Sequence, residues 1–137
     1  DDGVMTLASD MPMLCVAAVA KELGIVGISD ETAIKATDKG EMRKALAAHN
    51  VPIPKFHVVS SKQEFDEIVP LFTTPFIVKP ADNSGSRGVI RLSDSSDKAA
   101  VDSAYEYSLE SSRNGKVVVE EFMEGPEVSV ETLSVDG

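Results

Sequence analysis

Residues 76–92 read Phe-Ile-Val-Lys-Pro-Ala-Asp-Asn-Ser-Gly-Ser-Arg-Gly-Val-Ile-Arg-Leu. Phe76, Ile77 and Val78 form an apolar strand ending in Lys79 and Pro80, Ala81 to Gly88 form a loop, and Val89-Ile90-Arg91-Leu92 reads as a second strand. The tight link makes the two strands an antiparallel pair, which sets the fold class. Glycine and serine let the loop bend until successive N–H groups face one anion. Since a strand follows rather than a helix, no helix terminus contributes positive charge, as it does in the familiar phosphate loops. Side chains must supply that charge, and Lys79 at the strand exit and Arg87 within the loop are placed to do so. A Gly/Ser loop between strands is by itself more often a plain hairpin. The lysine beside Pro80 is what makes a phosphate clamp the better reading. There is no Gly-Lys followed by Ser or Thr, and the spaced glycines do not lead from a strand into a helix, so neither common nucleotide fingerprint is present.

Outward from the clamp, Phe56-His57-Val58-Val59 is a strand, and Ser61 with Glu64 is a capping box opening a helix with Phe65, Ile68, Val69 and Phe72. On the other side, Ser96 or Asp97 starts a helix carrying Ala100, Val101, Ala104, Tyr105 and Leu109, closed by Asn114-Gly115. Lys116 to Met123 is a strand, and Gly125-Pro126 turns the chain into a last alternating strand from Glu127 to Val135. From Phe56 the order is β-α-β-β-α-β-β, an α+β body with helices on one face of a mostly antiparallel sheet. Asp136-Gly137 is a hairpin signal with no return strand after it, so the sequence reads as cut at a turn.

Upstream, Thr37 or Asp38 caps a helix with Met42, Ala45 and Leu46 that runs to Asn50 and is stopped by Pro52 and Pro54. Lys39 falls in its first turn, where positive charge opposes the helix dipole by roughly 0.3 kcal/mol or more and so needs another reason to be there. Met13 to Leu23 is apolar on nearly every face, which predicts a helix packed on two sides with Gly24 as its stop. Ile25-Val26-Gly27-Ile28 reads as a short buried strand, the end of an α/β layer.

The 137 residues match one domain of ordinary size. Thirteen basic against 23 acidic residues give a net charge of −10, which argues for a soluble protein and against nucleic acid as the main partner. The single cysteine, Cys15, excludes a disulfide framework, favours a reducing, cytoplasmic setting and is expected to be a buried small hydrophobe. Its apolar run is too short to cross a bilayer, and no signal peptide is visible. The start at Asp1-Asp2-Gly3 without Met reads as a processing or cut boundary. His49 and His57 share no metal-like spacing with each other or with Cys15.

Glu120-Glu121-Phe122-Met123 admits two readings. Two solvated acids can leave the strand with Phe122 in the core, or the main chain there can match the edge of adenine while apolar side chains sandwich the ring. Glu127, Ser129 and Glu131 share one face of the last strand, and a carboxylate there can accept from both hydroxyls of a ribose. Together these pieces resemble the ATP-grasp superfamily. Thr37-Asp38-Lys39 with Met42-Arg43 and Asn50-Val51-Pro52-Ile53-Pro54 is similar to its "DK…GVPxP" pattern, with Asn50 where glycine is frequent. PFIVKPADNSGSRGV is similar to the second lysine and flexible glycine-rich loop, and VVVEEFMEGPEVSVE to the adenine strand and its continuation. DGVMTLASDMP through LGIVGIS resembles the close of the preceding α/β domain in relatives of carbamoyl phosphate synthase, biotin carboxylase and the purine-pathway ligases.

The resemblance implies that residues 1–36 end a pre-ATP-grasp domain, 37–123 form the N-terminal lid subdomain and 124–137 begin a truncated C-terminal subdomain. It implies that Lys39 and Lys79 contact ATP phosphates, Lys79 also lying near adenine. Ser84, Gly85, Ser86, Arg87 and Gly88 would fold over the phosphates, Glu120, Glu121, Phe122 and Met123 would hold adenine, and Glu127 the ribose. Such enzymes activate a carboxylate by phosphoryl transfer for attack by an amine or another nucleophile, chemistry that needs positioning and charge neutralisation above all. Mg²⁺ would be needed, yet Asp82, Glu120 and Glu131 match none of the family's metal positions, so its ligands are expected in a second half of the grasp. This portion alone is therefore expected to bind nucleotide weakly and to catalyse nothing. A degenerate or regulatory nucleotide-binding module and a plain α+β interaction domain are the alternatives. An unfinished sheet edge leaves pairing with a second copy open.

Overall fold

In the computed structural model, which describes residues 3–7 and 9–132, three helices precede the sheet: α1 (Met13–Leu23), α2 (Asp30–Thr37) and α3 (Lys39–Ala48). Then follow β1 (Phe56–Val59), α4 (Lys62–Ile68) with a 3-10 turn at Val69–Leu71, β2 (Phe76–Pro80), β3 (Ile90–Leu92), α5 (Lys98–Glu110) and β4 (Val117–Glu121). All strand pairings are antiparallel, and the sheet order is β1-β4-β2-β3. The clamp strands pair as their tight link requires, Phe76 opposite Leu92 and Val78 opposite Ile90.

β4 is central because its Val117-Val118-Val119 run is apolar on both faces, which suits a strand covered on both sides. The period of two then sorts the sheet. Phe76, Val78, Val117 and Val119 face α4 and α5, joining Phe65, Val69, Phe72, Val101, Ala104 and Tyr105 in one core. Phe65 and Phe76 are wholly enclosed, each worth about 1.5–3 kcal/mol on burial. Ile77, Lys79, Val118 and Glu120 face the other way. There α3 crosses β1, with Gly40 so close that a Cβ would lie 2.9 Å from Val58 Cγ2.

The caps follow the sequence signals. Asp38 rather than Thr37 caps α3, its Oδ1 accepting from Glu41 N at 3.0 Å. Ser61 Oγ accepts from Glu64 N at 3.2 Å, and the Glu64 carboxylate reaches back to Ser60 N at 2.7 Å. Asp97 caps α5 by accepting from Ala100 N at 3.1 Å.

Elsewhere the expectations require correction. Residues 25–28 form no strand, and Val26 is 92% exposed, because the segment is spent connecting α1 to α2. α2 itself was not anticipated, although Ser29 caps it from Thr32 N at 3.1 Å and Asp30 and Glu31 occupy its first turn. α1 packs on one side only. It buries Ala17 and Ala20 while Leu14, Val19 and Leu23 stay exposed, and Cys15 is exposed rather than a core residue. β3 begins at Ile90, one residue later than read, and α5 ends at Glu110, before Asn114-Gly115. Residues 127–132 carry no strand and are exposed, since alternation alone cannot hold a strand that has nothing to pair with. The rest of that predicted strand and the Asp136-Gly137 turn lie outside the described residues. Among the described residues no helix is long and apolar enough to cross a membrane.

Candidate nucleotide site

The face of the sheet opposite the main core is only partly covered, and a cavity of about 900 Å³ lies over it. Its floor includes Ile77, Lys79 and Glu120, and its walls include Lys39, the 82–86 loop and the strand exit through Met123. Helix geometry puts Lys39 and Arg43, four residues apart, on one face of α3. Strand alternation puts Lys79 and Glu120 on the same side of neighbouring strands.

Lys39 Nζ donates to the Asn83 carbonyl, and Lys39 N donates to the Ala81 carbonyl at 2.8 Å. Burial pushes the Lys39 pKa below its usual 10.5, and the neighbouring Lys79 charge pushes the same way against Asp10, Asp82 and Asp38. Two ammonium groups therefore face one space. Lys79 Nζ is held by Glu120 Oε1, while Glu120 Oε2 accepts from Arg43 Nη2 at 3.1 Å and Nε at 3.3 Å. Glu120 is buried at 7% exposure, and each of its oxygens is met by a cation.

The loop is fixed at its ends and open in the middle. At one end Asp82 Oδ1 accepts from Arg113 N at 2.9 Å and Asn83 Nδ2 donates to Ser111 O at 2.8 Å. At the other, the buried Ser108 hydroxyl donates to Gly88 O at 2.6 Å. Between them Ser84 to Arg87 are exposed, with positive φ at Gly85 (68°) and Ser86 (58°).

Of the residues singled out in the sequence, Lys39, Lys79, Ser84, Gly85, Ser86, Glu120, Glu121, Phe122, Met123 and Glu127 line this one cavity. Arg87 and Gly88 are not among its lining residues. Arg87 turns back to donate to Ser84 O at 3.3 Å, and buried Gly88 is a root of the loop. Phe122 is half-buried beneath Arg91, whose guanidinium lies 4.4 Å from the ring centroid, so it is a wall rather than a core residue. The sequence reading assigned no role to Arg43 or Arg113. The helical spacing from Lys39 could have found Arg43. Arg113 carries no such signal, because only the turn after α5 brings it to Asp82, where its Nη1 donates to the carbonyl at 2.9 Å.

The two lysines facing this cavity give it the positive charge that a polyphosphate would need. Among the described residues no group of three or more His, Cys, Asp or Glu is arranged to hold one, and Asp82 and Glu120 are already engaged.

The described residues thus form an α+β fold, an antiparallel sheet with a cation-floored cavity beside a glycine-containing loop. Residues 37–137 match the family model described as the phosphoribosylglycinamide synthetase, ATP-grasp (A) domain, and the chain belongs to the ATP-grasp family. It is 29% identical over 130 residues to the phosphoribosylamine–glycine ligase of Streptomyces coelicolor, covering 93% of this chain and 29% of that protein. It is 28% identical over 132 residues to the N-terminal section of the carbamoyl phosphate synthase large chain of Methanopyrus kandleri, covering 90% of this chain and 23% of that one. The crystal structure of an L-amino acid ligase from Bacillus licheniformis shares the fold, with a TM-score of 0.70 and 24% identity over 91% of this chain and 27% of that chain. The chain thus spans less than a third of the length of each of these three proteins.

Proposed function

We propose that this chain is the ATP-binding part of an ATP-grasp ligase that activates a carboxylate as an acyl phosphate for attack by an amine or another nucleophile. The observation that carries this reading is the convergence of Lys39 and Lys79, from different elements, on one cavity beneath the 84–87 flap. In this reading the two ammonium groups neutralise the triphosphate, and amides of the flap close over its outer phosphates. Main chain at 120–123 takes adenine, with Ile77 and Met42 available as apolar surfaces in the same cavity, and Glu127 takes the ribose.

Residues 1–36 close a preceding domain, 37–123 form the nucleotide lid and 124–137 open the second half of the grasp. Mg²⁺, which balances phosphate charge in phosphoryl transfer, would find its ligands in that second half. Small-molecule acids and amines are the partners, and the setting is the cytoplasm. The relatives' names differ in acid and nucleophile, so the substrate pair is left to those other parts.

Calorimetric titration with Mg-ATP, beside a phosphate-release assay, tests the proposal. Weak, saturable binding without turnover is the expected result. Absence of binding would remove the nucleotide reading, and tight binding or turnover by this chain would overturn its assignment as half of a site.

A further inference from the structure

Lys79 is the central cation of the cavity floor, yet its ammonium is already paired with a buried carboxylate, and a neutral pair attracts phosphate poorly. Arg43 changes that balance. It occupies the other oxygen of Glu120 through Nη2 and Nε, at 3.1 and 3.3 Å, with a side chain 22% exposed against 14% for Lys79. One carboxylate between two cations leaves one net positive charge in a space where solvent screening is reduced. We infer that Arg43 is a positioning residue that neutralises Glu120 and so leaves the Lys79 charge available to the phosphates of a nucleotide. This rests on the nucleotide reading above and adds to it a residue that need not touch the ligand.

The local architecture supports the assignment. Arg43 follows Lys39 by one helical turn, so α3 presents Lys39 to the loop root and Arg43 to the strand carrying the carboxylate. Glu120 in turn sits opposite Phe56 and Ile77 in the sheet register, where backbone pairing on both sides restricts how far it can follow either cation. Without Arg43 the carboxylate would retain Lys79 as its one strong partner.

The inference makes charge, rather than packing, the decisive quantity. Weak binding of ATP and of uncharged adenosine is read by amide chemical-shift titration of the 137-residue chain. Arg43→Gln should weaken ATP binding about tenfold or more while changing adenosine binding less than about twofold. Arg43→Lys keeps the charge and should stay within about threefold of the parent for ATP. Arg43→Gln combined with Glu120→Gln removes one charge of each sign and should recover most of the lost ATP affinity. Parallel loss of adenosine binding would show that Arg43 only shapes the pocket and would overturn the inference. Equal loss in Arg43→Lys would do the same, even where the double variant does not fold. If the parent chain binds neither ligand, the nucleotide reading fails and takes this inference with it; if the parent binds but charge exchange restores nothing, only this inference fails.

Discussion

Lys39 Nζ and the carbonyl of Asn83, 44 residues apart in sequence, are hydrogen-bonded, and the main chain of Lys39 also donates to Ala81 at 2.8 Å. The first turn of α3 and the root of the loop are thereby one unit. A phosphate entering beneath the flap would take over the ammonium from a neutral carbonyl, replacing a hydrogen bond charged on one side with an ion pair. The site holds this cation before ligand arrives, against both its burial and the helix dipole.

Lys39→Met is therefore expected to separate binding from stability. Losing one charge-assisted phosphate contact should weaken ATP binding about 10- to 100-fold. The fold should stay within about 1 kcal/mol of the parent, because methionine keeps the apolar stem and removes a charge that burial disfavours. Calorimetry and urea denaturation read the two effects. Loss of several kcal/mol of stability without a change in binding would contradict the assignment.

The pH dependence follows from the same residue. Its folded pKa lies below 10.5, so the ammonium is lost at lower pH than in an unfolded chain. ATP affinity should fall as pH climbs toward 10.5, and binding there should draw a proton onto Lys39, since phosphate favours its charged form. Stability has the opposite slope. Between the lowered folded value and 10.5 the unfolded chain holds more protons, so the contribution of Lys39 to stability rises with pH. Titration in two alkaline buffers of different ionisation enthalpy counts the proton, and Lys39→Met should abolish the uptake.

What could be read from sequence was what a single element decides for itself. The Ser61 and Asp97 caps, the clamp strands and the valine-rich strand all carry local signals, and they lie where those signals put them. Cys15 and the 25–28 segment were misread because apolar composition says that a surface is sticky, not that a neighbour is present to cover it. Arg87, a cation inside a loop, donates to that loop's own Ser84 carbonyl, a contact for which the sequence carries no local signal. The cavity itself was legible as an ordered set of motifs, whereas Arg113 joins it only through the turn after α5.

On the core side Lys62 links two helices. It is 2.7 Å from Asp102 of α5, pairs with Asp66 one turn along α4, and lies 5.5 and 5.9 Å from the ring centroids of Phe65 and Tyr105. Burial alone would lower its pKa, but hydrogen bonds to Asp102 and Asp66 outweigh it and hold the value above 10.5. A raised folded pKa means that the stabilisation is complete below 10.5 and is lost as pH rises through the folded value. Lys62→Met should cost about 0.5–1 kcal/mol at low salt and less at high salt, as expected for a partly exposed pair with cation–π support. Urea denaturation at two ionic strengths checks it; a cost independent of salt would assign the effect to packing.

Gly85 within the flap and Gly88 at its root should respond differently to alanine. Gly88 has φ 75°, and a Cβ there would lie 2.5 Å from Ser111 Cβ and 3.0 Å from Pro80 Cδ, so both the backbone conformation and its surroundings resist it. Gly88→Ala should cost about 2–4 kcal/mol and loosen the loop root that Ser108 holds. Gly85 has φ 68° but open space around it, leaving only the conformational penalty of about 1 kcal/mol. If the flap closes on phosphate, Gly85→Ala should reduce ATP affinity by more than its effect on stability, because a stiffer flap presents its amides less readily. Thermal denaturation and ATP titration of the two variants decide the matter: a flap that is mere connection would leave Gly85→Ala binding as the parent does.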